Sequence, residues 1–171
     1  WKHYKYYFPE KEIPSLYTYI SGFNNSLIIG NRELGVGLDR YLGTDSPYYK
    51  QLGLYSYQIR KMQTSYIARD CFYGWAKTEW PFGKGNDSAI ENVLNKMLYE
   101  ARLLYFTHAM LPDKEEHILF GFDEQQLAFC RANEEYMWMY LIENDLLYAT
   151  DRLTVNKLIG EGPFTHYFST D

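Results

Sequence analysis

The sequence predicts an α+β fold, a small N-terminal sheet packed on several helices, with residues 1–171 as a single domain. Three observations carry that expectation. Alternating β-branched and aromatic residues are confined to the first forty positions, helical periodicity takes over from Ser46, and no internal repeat, low-complexity tract or linker divides the chain.

The strands come first. "YTYISGF" (Tyr17–Phe23) runs into the turn "NN", and "SLIIGN" follows. "ELGVGLDRYLG" then alternates Leu34, Val36 and Leu38 with Gly35, Gly37 and Asp39. Glycines at alternate positions leave one side of that strand bare. This suits close approach of another backbone or an extended ligand, and equally a bulge or packing dimple.

The helices follow. "SPYYKQLG" has Ser46 as N-cap, Pro47 at the first helical position and Gly53 at the stop. "TSYIARDCFYGWAKTEW" spaces Ile67, Cys71 and Trp75 four apart before "PFGKGND" breaks it. A long helix is expected to open at Ser88 with a capping box to Glu91, its apolar positions running from Ile90 and Val93 through Met97 to Ala109. The next helix spans Asp123, boxed with Gln126, to about Asp145. Its expected inward stripe is Leu127, Cys130, Glu134, Met137 and Leu141, with Trp138 beside it as a core anchor. A short helix around "TVNKLIG" and a turn at "EGPF" close the chain.

Composition narrows the function. The chain is long enough to bury a real core. Aromatic residues make up 19%, including 18 Tyr and 4 Trp, and tyrosine brings an apolar face whose hydroxyl wants a partner. Net charge is −5 and no Lys/Arg run exceeds two residues, so nucleic acid is not an expected partner. Cys71 and Cys130 are too few for a disulfide framework and fall at apolar helical positions, where inert thiols are expected, with a single bridge between them as the alternative in an oxidising compartment. No apolar run approaches the roughly 20 residues that span a bilayer.

One segment looks like a metal-binding helix without its metal ligands. Zinc peptidases of the zincin type set His-Glu-x-x-His on a helix so that two imidazoles one turn apart grip the ion. In "NKMLYEARLLYFTHAML" the same register reads Tyr99-Glu100-Ala101-Arg102-Leu103. The glutamate is in place and neither histidine is. The following long helix carries Asn133-Glu134 in "ANEEYMW", where gluzincins place the Asn-Glu that supplies a third ligand. The glycine-spaced strand would then correspond to the edge strand that holds peptide substrate. This reads as a degenerate zincin-like domain, with Tyr99, Glu100, Leu103 and Glu134 as vestigial site positions. His3, His108, His117 and His166 have no paired spacing, so neither a metal nor another cofactor is expected. Alternatively, the glutamates are satisfied by nearby groups, with Arg102 and Tyr99 as candidates. No G-x-S-x-G elbow, P-loop or G-x-G-x-x-G is present.

The segments "YYFPEKEIPSLYTYISGF", "LGVGLDRYLGTDSPYYKQLG", "KMLYEARLLYFTHAMLPD", "ANEEYMWMYLIENDLLYATD" and "NKLIGEGPFTHYFS" resemble the gliding-motility lipoprotein B family (GldB) of Bacteroidetes, nearly end to end. The resemblance implies a membrane-anchored lipoprotein facing the periplasm, with protein partners in the cell-envelope machinery. It also implies a domain similar to predicted zinc proteases but lacking the complete ligand set. The lipid-bearing cysteine of such proteins lies near the precursor's N-terminus, which places the anchor upstream of Trp1. Relatives continue past the "GPFT" region, which implies a closing segment beyond Asp171. The function expected is that of a non-catalytic accessory or scaffold. Two rival readings stand beside it. One is a zinc-dependent hydrolase that completes an atypical ligand set with His108 or a residue from beyond the chain. The other is a peptidoglycan- or carbohydrate-binding module built on exposed aromatic rings.

Overall fold

The computed structural model describes residues 1–84 and 90–160. The first element is a helix, α1 (Lys2–Tyr7), where the sequence reads as the start of a strand region. The reason is packing. Tyr4 and Phe8 stand one turn apart, their rings 5.3 Å from each other, and both meet Phe106. The Trp75 indole donates to the Tyr4 hydroxyl at 3.3 Å. A helical turn brings the two rings together, whereas in a strand residues four apart share a face but stand about 13 Å from one another. With Trp1, Phe72, Trp75 and Met110, Tyr4 and Phe8 form one of the two core clusters among the described residues.

The sheet has the order β1-β3-β2. β1 (Ser15–Tyr19) runs parallel to β3 (Glu33–Gly37), and β2 (Leu27–Ile29) pairs antiparallel with β3. The glycine-spaced strand is therefore central, and its expected correspondence to a substrate-holding edge strand does not hold. Its bare side is also filled from within. A Cβ on Gly37 would lie 2.2 Å from the Asn25 carbonyl oxygen, and one on Gly35 3.2 Å from the Tyr19 ring. Leu34 and Val36 point the other way into the second core cluster, with Tyr41, Tyr66, Cys71 and Ile118. A single 3-10 turn, Leu38–Arg40, follows β3, so Leu38 does not continue the strand.

The helices are α2 (Pro47–Gln51), α3 (Ser56–Arg60), α4 (Thr64–Glu79), α5 (Val93–Met110), α6 (Glu116–Phe120), α7 (Glu124–Glu143) and α8 (Arg152–Ile159). α4 is the hub, packed on β2 and β3 from one side and on α5 from the other. Gly74 allows the approach, because a Cβ there would sit 2.9 Å from the Ile29 side chain. α4 does not reach under β1. Leu16 shares a face with Leu34 by register, yet it is 57% exposed.

Helix ends follow local chemistry in part. Pro47 opens α2 as expected, but the Ser46 hydroxyl caps nothing and is buried without a partner among the described residues. α5 starts at Val93, where the Asn92 side chain accepts from the Asn95 N–H at 2.8 Å. The expected Ser88 cap lies outside the described residues, and Glu91 precedes the helix. α7 has the expected box in both directions between Asp123 and Gln126. Its expected inward stripe does not hold as a whole. Leu141 is the buried residue of α7, Glu134 is exposed, and Trp138 is 39% exposed rather than a core anchor.

Candidate functional site

The register that suggested a metal helix is occupied by packing. Leu103 is 2% exposed, and Tyr99 meets the Phe82 ring edge-on at 5.3 Å. Burial and the negative charge of Glu100 push the Tyr99 hydroxyl above the usual tyrosine range. Glu100 is half-buried and accepts a hydrogen bond from the Tyr73 hydroxyl of α4. Neither candidate partner from the sequence, Arg102 or Tyr99, has that role. The signal was present in α4 as a second stripe, Arg69, Tyr73 and Lys77, spaced four apart beside the apolar one.

That stripe belongs to a larger network. The buried Arg69 guanidinium stacks 4.4 Å from the Tyr73 ring centroid, donates to the Leu119 carbonyl at 3.0 Å and pairs with Asp70 at 3.1 Å. The Tyr41 hydroxyl donates to the other Asp70 oxygen at 2.9 Å. Tyr41, Asp70, Arg69, Tyr73 and Glu100 thus form a polar chain from the end of β3 across α4 to α5. Burial pushes the Asp70 carboxyl up, against the pull of Arg69 and Tyr41. The Cys71 thiol is pushed up to about 12 by burial and by the neighbouring Asp70 charge. Burial likewise raises Tyr41, Tyr66 and Cys130. Every shift resolved on a hydroxyl or thiol here is upward, away from an activated nucleophile. Both cysteines are free thiols.

A second constellation explains the "LDRY" run. The buried Asp39 carboxylate accepts from the Ser21 N–H, the Ser21 hydroxyl and the Phe23 N–H. The next residue, Arg40, donates to the Phe23 carbonyl at 3.2 Å. Tyr49 donates to the Asp39 carbonyl at 2.9 Å and accepts from the Leu42 N–H at 2.8 Å. Burial raises the Asp39 carboxyl, but the bonds from Ser21 and Phe23 outweigh it and hold the group below the usual carboxylate range. The motif clamps the turn after β1 onto the end of β3.

Among the described residues the histidines and glutamates do not gather. His3 donates through Nδ1 to the Met110 carbonyl at 3.0 Å, His108 is exposed on the last turn of α5, and His117 is half-buried in α6. His166 lies outside the described residues. Among the described residues no three His, Cys, Asp or Glu side chains are placed to hold a metal ion. An open cleft of about 640 Å³ lies elsewhere, among Glu10, Lys11, Glu12, Arg32, Trp75 and Glu79. Ion pairs Lys11–Glu79 and Arg32–Glu12 occupy its charged lining, and none of Tyr99, Glu100, Leu103 or Glu134 reaches it. Exposed tyrosines come from many places, including Tyr6 and Tyr7 of α1, Tyr17 of β1, Tyr48 of α2, Tyr105 of α5 and Tyr136 of α7.

No helix among the described residues is long and apolar enough to cross a membrane. No curated protein and no solved structure matches the chain. A family does. The sequence model of the gliding motility protein GldB, a lipoprotein family, matches residues 1–171, and the chain belongs to that family.

Proposed function

We propose that this member of the gliding motility family is a non-catalytic accessory or scaffold of the motility machinery or an associated secretion system in Bacteroidetes. In this reading a lipid anchor upstream of Trp1 holds the domain to the membrane, facing the periplasm, and the zinc-peptidase register of α5 is an inherited frame put to structural use. The observation that carries the reading is the employment of Glu100. Its carboxylate takes the Tyr73 hydroxyl, while Glu134 stands in solvent on another helix and Leu103 is sealed in the core. A general base needs a water to activate, and a zinc site needs neutral imidazole or thiolate donors beside it.

The test is a gliding assay in a strain whose own gene is replaced by the Glu100→Gln form, with metal content of the purified wild type measured alongside. Gliding at the wild-type rate and less than a tenth of an equivalent of transition metal is the expected result. Stoichiometric zinc lost in Glu100→Ala, or a folded Glu100→Gln protein that abolishes gliding, would favour the hydrolase instead.

A further inference from the structure

α7 has apolar residues on all sides, which is the pattern of a helix buried on all sides. Its inward arc is Phe129, Cys130, Asn133, Met137, Tyr140 and Leu141, all at least partly buried. The opposite arc is exposed and is apolar at its centre. Trp138, Met139 and Ile142 are 39%, 45% and 58% exposed, and together with Glu135 they follow the i, i+3, i+4, i+7 spacing of a docking helix. Exposed Glu135 opens this stripe, exposed Glu134 and Glu143 flank it, and none of the three has an ion-pair partner among the described residues. No Lys or Arg occurs between Arg131 and Arg152, and Arg131 is itself engaged with Glu116.

We infer that the outer face of the C-terminal half of α7 is a docking surface for a lysine- or arginine-bearing amphipathic helix of a partner protein. The apolar stripe supplies the contact area and the three glutamates select the charge. Charge excludes the other occupants. A second copy meeting this face across a two-fold axis sets glutamate against glutamate. An anionic lipid surface is repelled by the same rim. Segment 161–171 of the chain itself carries Glu161 and Asp171 and no Lys or Arg, so it does not supply the cations.

The probe is an 18-residue amphipathic peptide of leucine and lysine, with its leucine–glutamate counterpart as control, titrated calorimetrically into the whole chain. The lysine peptide should bind and the glutamate peptide should not, with affinity falling as salt is raised. Met139→Asp with Ile142→Asp, and separately Glu135→Lys with Glu143→Lys, should each weaken binding at least tenfold with unchanged circular dichroism. Glu10→Lys with Glu12→Lys, at the cleft, should leave it unchanged. Equal binding of both peptides, or affinity indifferent to the α7 substitutions, overturns the proposal. So does a concentration-dependent dimer, or binding to anionic vesicles, that disappears in Ile142→Asp.

Discussion

Asp39 and Glu100 are both acids drawn inward, and they make opposite kinds of prediction. Asp39 is buried and receives three donors, and its pKa is lowered in the folded chain. Its stabilisation is present above the unfolded carboxylate value of about 3.9 and is lost as pH falls through the lower folded value. Asp39→Asn should cost about 2 kcal/mol at neutral pH, as loss of hydrogen bonds to a charged group does. Urea titrations from pH 7 to pH 3 should show the two proteins converging at the acid end. Glu100 depends on one hydroxyl. Tyr73→Phe should therefore cost about 1–2 kcal/mol, whereas Glu100→Gln, which keeps an acceptor, should cost less. Equal losses in a denaturation series would show that the carboxylate charge matters as much as its donor. That Glu100 turns inward was legible in the sequence, since Met97, Leu103 and Leu104 surround it within one turn. Its partner was not, because Tyr73 lies 27 residues earlier and is brought close only when α4 packs on α5.

Elements were legible where a local cap defines them. The Asp123–Gln126 box fixes the start of α7 within its own four residues, and Pro47 does the same for α2. Where two local signals compete, the sequence is silent about the winner. The Ser88–Glu91 box was the expected opening of α5, and the Asn92 start that the structure shows is the one at which the Val93 and Leu94 N–H groups reach the Ala149 and Leu147 carbonyls. The inward face of α7 was misread for a related reason. With apolar residues all round, periodicity does not choose a side, and only the position of the rest of the fold does. Trp138→Ala should consequently cost no more than about 1 kcal/mol, against the 3–5 typical of a buried tryptophan. Trp75→Ala, at 5% exposure, should fall in that higher range. Thermal unfolding of the two variants side by side checks the contrast.

Across the whole molecule, the α+β class could be read from the switch of period near Ser46, while the first helix could not. "WKHYKYYF" has aromatics at spacings that serve either a strand or a helix, and the deciding contacts come from Trp75 and Phe106, distant in sequence. α1 consequently closes the aromatic cluster rather than fraying from it. Tyr4→Ala should cost about 3–5 kcal/mol and expose the tryptophans, visible as a red shift of native fluorescence before global unfolding. A loss below 1 kcal/mol would mean that α1 is dispensable to the core.

The overhang of β1 has a consequence for handling the protein. No charged residue occurs from Ile13 through Asn31, so the β1 margin, which pairs with no further strand among the described residues, carries neither the lysines nor, from Ser15 onward, the proline with which edge strands are usually guarded. Concentrated stocks should therefore precipitate by strand-to-strand adhesion that added salt does not relieve, and Thr18→Lys is the smallest change that would keep them clear.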